Sequence, residues 1–417
     1  MKRNRRNPVL ILDSWIPTLL LAACQAVLLA SLLRARPAKA ADIAASLAPH
    51  PIRESSVLCM PGILSNGHQD CLAVGPAEYL TQQAQEGITF PIEPLEAVKP
   101  DPELATPPFL YARLIDNQPT PVYATVEDAL AGQNPVRSID PGKLRYVSYI
   151  EDVYPSGGAK PDALRLASGL WVSTRDVARR EQAISRFQGY IFTHNPPRPF
   201  GWVLPFNPSI ETKRTPGYGN KDDYTGHILY EYNVVQIYKT QKVGDLDWYL
   251  VGPDEWVEQR MIGKVSVMTA PPEGVTNGRW IDINLYEQTM SVYDQGRLVF
   301  ATLIASGLQP FYTRPGLFPI YEKLKSTTMR GAFEADRSDY YYLESVPWTM
   351  YYDQARALHG AYWRTRYGFP QSHGCVNISP GDSHWLFNWA REGDCVHVWD
   401  PSGKTPTDPK FYSDGGA

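Results

Sequence analysis

The sequence predicts a mainly β protein built from several small units, and three observations carry that prediction. Proline is abundant, 37 of 417 residues, well above the usual ~5%; because proline breaks helix interiors, a long helical bundle is excluded. Aromatic residues are also plentiful, with 11 Trp, 25 Tyr and 13 Phe, too much apolar surface for a chain disordered throughout. Finally, short alternating runs recur with turn residues between them, the pattern of strands in small sheets or barrels. The length predicts two or three domains at about 150 residues each. A formal net charge of −4 argues against a nucleic-acid backbone as the main partner.

The first unit is 1–40. Lys2, Arg3, Arg5 and Arg6 precede an uncharged run, Ile16 to Leu33, which Arg34 and Arg36 follow. A basic flank before an apolar stretch is the pattern that engages export machinery. Ala38-Lys39-Ala40 offers a small-x-small cleavage site, whereas the run is also just long enough to span a bilayer as an anchor. Leu21-Ala22-Ala23-Cys24 resembles a lipoprotein box, a third reading. All three send the remainder out of the cytoplasm, with the membrane touched only through this segment.

Residues 41–120 hold a cysteine pair and a connector. Cys59 and Cys71 bracket a turn-rich stretch where a disulfide would close a short loop in an oxidising compartment; two unrelated thiols, or a zinc site with His68, are the alternatives. From Pro91 to Pro121 there are eight prolines, which reads as an extended connector. Two stretches then look alike. Residues 121–190 contain RYVSYIEDVY and ASGLWVSTRDVARR, and residues 225–270 contain NVVQIYKT and YLVGPDEWVEQRMIGKV. Each offers strand, turn, strand and a short closing segment, as in a small β-barrel. Between them, 191–224 reads as a Pro-rich loop.

The C-terminal unit is 277–400, before a tail at 401–417. Ile281, Ile283 and Leu285 alternate with Asp282 and Asn284, a half-buried strand that opens a meander continuing through MSVYD and LVFATLIASG. Ser379-Pro380-Gly381-Asp382 combines a helix cap, proline at the first helical position and an acid at the third. The helix is expected to stop at Gly393, and CVHVW to form a last strand.

Chemistry concentrates in His359-Gly360 and Ser372-His373-Gly374-Cys375-Val376-Asn377. A thiol attacks as thiolate, and an imidazole is the usual means of taking its proton. A Gly-containing turn exposes N–H groups that can serve an oxyanion. A zinc site from His359, His373, Cys375 and His384 is the competing reading.

HGAYWRTRYGFPQSHGCVN resembles the signature of the L,D-transpeptidase catalytic domain (YkuD-like), a β-sandwich-like fold with one or two short helices. The resemblance extends over about 278–400 and includes TRPGLF and VPWTMYY. The modules before it resemble bacterial Src-homology-type barrels more loosely. The resemblance implies that Cys375 is the nucleophile on a peptidoglycan stem tetrapeptide, releasing D-Ala and passing the acyl group to an amine to form a 3→3 cross-link. It implies His359 as general base and acid, Gly360 as the carbonyl that orients its ring, and His373 and Gly374 as turn residues. The N–H groups of Gly374 and Cys375 would face the oxyanion. Ser372, Asn377, Trp363 and Met329 would form pocket walls, with stem peptides as partners and neither metal nor cofactor required. Water in place of the amine would make a carboxypeptidase; a wall-binding protein with an idle domain, and a cysteine endopeptidase, are the other readings. Where many relatives carry a His-Asn-Asp-like run after the Trp, this chain has Arg364-Thr365-Arg366: a solvated loop, or positive charges that favour a carboxylate-bearing stem. Cys375→Ala is expected to leave the fold intact, on the view that this thiol lies on a surface turn.

Overall fold

The computed structural model describes residues 94–412 except 156, 159, 333–335 and 338, together with 57–58, 71–72 and 83–88. The 1–40 segment and the expected Cys59–Cys71 disulfide fall outside what it describes. The chain divides into two compact units, Met1–Glu78 and Tyr79–Ala417. In the first, Val57–Leu58 pairs in parallel with Cys71–Leu72. Among the described residues no helix is long and apolar enough to cross a membrane. The second unit is mainly β.

Its first region supplies β1 (Leu110–Leu114), β2 (Leu144–Val153), β3 (Ala163–Leu166), β4 (Trp171–Ser173) and β5 (Val177–Arg179). A short helix, α1 (Val126–Ala131), starts where the Thr125 hydroxyl accepts the Asp128 N–H and ends at Gly132, φ +70°, a left-handed value that glycine adopts without steric cost. The next region supplies β6 (Phe200–Val203), β7 (Ser209–Lys213), β8 (Tyr224–Tyr230), β9 (Val234–Gln236), β10 (Lys239–Val243), β11 (Leu246–Gly252), β12 (Glu255–Glu258) and β13 (Ile262–Val265). These form two sheets, ordered β9-β6-β13 and β8-β7-β12-β11-β10. Val203, Leu229, Val235, Tyr249, Val257 and Ile262 pack between them.

The stretch 191–224, read as a loop, therefore contributes two strands of this module. Its prolines mark strand ends: Pro199, Pro205 and Pro208 bracket β6 and the start of β7, positions where a missing N–H costs no ladder bond. The likeness between the two upstream regions has a structural counterpart. In each, a strand runs into a single 3₁₀ turn, Thr174–Asp176 or Gln259–Met261, followed by a closing strand. The first region does not close on itself, however. Leu144–Tyr146 of β2 pairs in parallel with Tyr341–Leu343, so these strands continue the C-terminal sheet.

The C-terminal region supplies β14 (Arg279–Asn284), β15 (Thr289–Asp294), β16 (Arg297–Leu303), β17 (Gly316–Pro319), β18 (Glu322–Gly331), β19 (Tyr341–Asp353), β20 (Arg356–Gly360), β21 (Val376–Ile378), α2 (Pro380–Trp389) and β22 (Cys395–Trp399). One sheet runs Tyr190–Ile191, β16, β15, β14, β22, β17; the other runs β21, β20, β19, β2, β1, β5, with β18 on the far edge of β19 and β3 and β4 beyond β2. Ile281, Ile283, Met290, Val292, Val396 and Val398 from the first sheet meet Met350, Tyr352, Leu358, Val376 and Ile378 from the second.

The outer face of the first sheet is covered too. Trp280, Tyr293, Leu298 and Leu303 pack against Phe200 and Trp202 of the upstream module. Asp282, expected to face solvent, is consequently buried and accepts from His397 Nδ1 at 2.7 Å and Trp399 Nε1 at 3.0 Å. Helix α2 begins as its sequence dictates, with Ser379 Oγ accepting the Asp382 N–H and Pro380 at the first position. It ends at Trp389 rather than at Gly393, because Ala390 is already extended (φ −69°, ψ 151°).

Candidate active site

Strand alternation builds the site. Leu358 of β20 and Val376 of β21 point into the sandwich core, so their neighbours point the other way. The parallel register sets His359 beside Asn377, and Cys375, two residues before Asn377, shares that face. Leu144, Met329, Tyr341, Leu343, Trp363, Arg364, Ser372 and His373 complete the lining around His359, Cys375 and Asn377. The pocket volume is about 30 Å³.

Cys375 is 5% exposed and packs with Tyr111, Tyr146, Met329, Val346 and Tyr362. It is a free thiol, 3.8 Å from the Ala355 carbonyl. The surface-turn view of this residue is thus corrected: strands β1 and β2 roof it over. Burial pushes its pKa up to about 11, because desolvation disfavours the thiolate. His359 is 1% exposed, and the same cause lowers its pKa to about 4.

The His359 ring is held at both nitrogens. Nδ1 lies 3.4 Å from the Gly360 carbonyl, and Nε2 lies 3.1 Å from Asn377 Nδ2. Arg364 Nε donates to Asn377 Oδ1, which turns the amide so that its NH₂ faces the imidazole. Nε2 then accepts, and the ring proton belongs on Nδ1. Arg364 is itself fixed by Gln371, through Oε1 at 2.9 Å and through its carbonyl.

The turn before β21 is internally bonded. Gly374 has φ +118°, a conformation an L side chain adopts only with strain. Its carbonyl accepts from Thr313 Oγ1 at 2.9 Å, and Ser372 Oγ donates to the Cys375 carbonyl. The Gly374 N–H donates to Ser372 Oγ at 3.1 Å. One of the two donors expected to face an oxyanion is therefore engaged within the turn. His373 stacks on Tyr341, 5.7 Å between centroids at 9°, and burial, then Arg364, holds its pKa below the usual value.

His384, counted in the zinc reading, sits on α2 and stacks on Trp348 at 3.9 Å. Among the described residues no three His, Cys, Asp or Glu side chains converge to hold a metal ion. The two arginines after Trp363 part company: Arg366 is exposed, 3.9 Å from Glu231, whereas Arg364 is half-buried in the pocket wall. Leu144 gave no sequence signal, since it arrives by a parallel pairing with Tyr341, far away in the sequence. Of the consecutive Tyr340, Tyr341 and Tyr342, Tyr341 lines the pocket while Tyr340 and Tyr342 pack towards β1–β4. A larger cavity of about 590 Å³ lies elsewhere, lined by Tyr249, Lys264, Asp282, Glu287 and Trp399 among others, and neither a cysteine nor a histidine is in its lining.

A β-sandwich carrying a histidine on one strand and a buried cysteine in the turn that enters the next is the class of domain this defines. Residues 278–398 match the family model of YkuD, the L,D-transpeptidase catalytic domain. Among solved structures, an L,D-transpeptidase from Mycobacterium smegmatis is similar at 21% identity over 29% of this chain and 58% of that one, with a TM-score of 0.28. One from Stackebrandtia nassauensis is similar at 23% identity over 33% of this chain and 63% of that one, with a TM-score of 0.25. The catalytic domain of the E. faecium enzyme is similar at 28% identity over 30% of this chain and 100% of that one, with a TM-score of 0.27. The chain spans about six tenths of the length of the first two structures. No curated protein matches it.

Proposed function

We propose that the protein is a peptidoglycan L,D-transpeptidase exported from the cytoplasm, with Cys375 as nucleophile and His359 as its base. The observation that carries this reading is the β20–β21 register, which sets His359 beside Asn377, with Cys375 lining the same pocket. The Cys375 proton passes to His359 Nε2 as the sulfur attacks the carbonyl carbon preceding the terminal D-Ala. The tetrahedral adduct collapses, the D-Ala amine takes the proton from the imidazolium, and a thioester remains. An acceptor amine then gives a proton to His359 while attacking the thioester; the sulfur leaves and regains a proton.

Two features set conditions on this chemistry. Asn377 Nδ2 occupies the Nε2 lone pair, so it must yield when the thiol proton moves. The pocket is small, about 30 Å³, and in this reading a bound stem peptide displaces lining side chains such as Leu144, Met329 or Trp363.

The test is mass spectrometry of a stem tetrapeptide incubated with the protein, beside Cys375→Ala. A cross-linked dimer with D-Ala release, in the unmutated protein alone, is the expected result. D-Ala release without dimer would identify a carboxypeptidase. No reaction with folded, reduced protein would leave the idle wall-binder as the better reading.

A further inference from the structure

Arg364, in the lining of the Cys375 pocket, has donors to spare. A guanidinium carries five N–H groups, and Arg364 spends three of them, on Asn377 Oδ1, Gln371 Oε1 and the Gln371 carbonyl. All three acceptors are neutral. Among the described residues no carboxylate lies within ion-pair reach of Arg364, although Arg314 and Arg356 nearby share Asp353 and Arg366 approaches Glu231. Arg145 is the informative contrast. It is fully buried and likewise bonded to carbonyls, but Asp116, Asp176 and Asp140 surround it. The neighbours that could offset the Arg364 charge are tyrosines, Tyr367 and Tyr146, and not carboxylates. Beside it in the lining, the buried Trp363 Nε1 has no hydrogen-bond partner.

A cation removed from water without a counter-charge, next to an unpaired indole N–H, is unfavourable until an anion arrives. We propose that Arg364, with the Trp363 indole N–H, receives a carboxylate of the donor stem peptide in the Cys375 pocket, an assignment that rests on the transpeptidase reading above. A carboxylate accepts two parallel bonds from one guanidinium, and the two N–H groups left on Arg364 match that demand. Burial already lowers the Arg364 pKa to about 10, in keeping with a charge that lacks its partner. Arg364 also holds the Asn377 amide, so the anion would engage the group that orients the His359 ring. The carboxylate has two sources on a stem tetrapeptide, the C-terminus of D-Ala and a side-chain carboxyl, and they differ in which amide abolishes the contact.

The experiment is calorimetric binding to the full chain carrying Cys375→Ala, which cannot turn over. The probes are the tetrapeptide acid, its C-terminal carboxamide and its side-chain amide. With Arg364 present, one of the two amides is expected to bind roughly tenfold or more weakly than the acid, the size of a charge-assisted contact. In Arg364→Gln the acid and that amide should bind alike, and Arg364→Lys should keep part of the difference. Equal affinity of the acid and both amides for the Arg364 chain overturns the proposal, as does undetectable binding of the acid. These arms need no change at Arg364, so a failure of Arg364→Gln to fold does not blunt them. An amidation penalty of the same size in folded Arg364→Gln also overturns it, leaving Arg364 as a support for Asn377. The catalytic reading fails separately: a carboxylate preference in a protein whose intact Cys375 releases no D-Ala would keep the anion site and remove the transpeptidase.

Discussion

Asn377 Nδ2 lies 3.1 Å from His359 Nε2, on the nitrogen a base would use. Because Arg364 holds the other end of the Asn377 amide, the amide cannot turn its oxygen to the ring without losing that bond. The arrangement favours a neutral imidazole and resists its protonation at Nε2. Replacing the amide by a carboxylate should reverse the preference. In Asn377→Asp the His359 pKa is expected to rise from about 4 by at least about one unit, since a nearby anion stabilises the imidazolium by about 1.4 kcal/mol per unit. NMR titration of the ring measures this directly. An unchanged pKa would mean that burial alone sets the ring's charge.

The same burial makes Cys375 and His359 a neutral pair at rest. With the thiol raised to about 11 and the imidazole lowered to about 4, neither group is charged across the range between. Alkylation of Cys375 by iodoacetamide should therefore climb with pH towards about 11, tracking the thiolate fraction. Peptide mapping separates it from Cys395, the other free thiol among the described residues. A flat, fast rate from mildly acid pH upward would instead identify a thiolate–imidazolium pair.

The sequence made parts of this arrangement legible and hid others for physical reasons. The start of α2 could be read because capping is local, carried by Ser379 and Pro380 within one turn. The β14–β16 meander could be read because its register depends on adjacent residues and tight turns. The His359 and Cys375 positions came from a motif rather than from periodicity. Leu144 could not be placed in the pocket, since its pairing with Tyr341 joins strands from opposite ends of the folded unit. Asp282 looked solvent-facing because alternation says which side a residue takes and not whether another module covers that side. Arg364 and Arg366 look equivalent in sequence, and only the path of the loop separates them.

The roof over Cys375 also contributes to stability. The Tyr111 ring stacks on Tyr362 with centroids 3.5 Å apart at 12°, and its hydroxyl donates to the Ser345 carbonyl at 2.9 Å. Tyr111→Ala removes both contacts and should cost about 3–5 kcal/mol, as for other buried aromatic truncations. Tyr111→Phe keeps the ring and should cost about 1 kcal/mol for the hydrogen bond. Urea unfolding of the two variants compares them. Equal losses would show that the hydroxyl, not the stack, fastens β1 to the catalytic region.

A last consequence concerns Glu287, in the wall of the larger cavity. Its Oε2 accepts the Lys264 N–H at 2.9 Å, and Lys264 Nζ is 4.0 Å from Oε1. Desolvation nevertheless raises its pKa from 4.5 to about 7. The folded state thus prefers the protonated acid while the unfolded state ionises more readily. The group's favourable contribution is complete below pH 4.5 and is lost as pH rises through about 7, a change of roughly 3 kcal/mol at most. Glutamine retains an oxygen for the Lys264 N–H and never ionises. Glu287→Gln should therefore melt close to the unmutated protein at mildly acid pH and a few degrees above it at pH about 8. Scanning calorimetry at the two pH values decides the matter. An offset of the same size at both would mean that packing or hydrogen bonding, rather than the buried charge, accounts for the substitution.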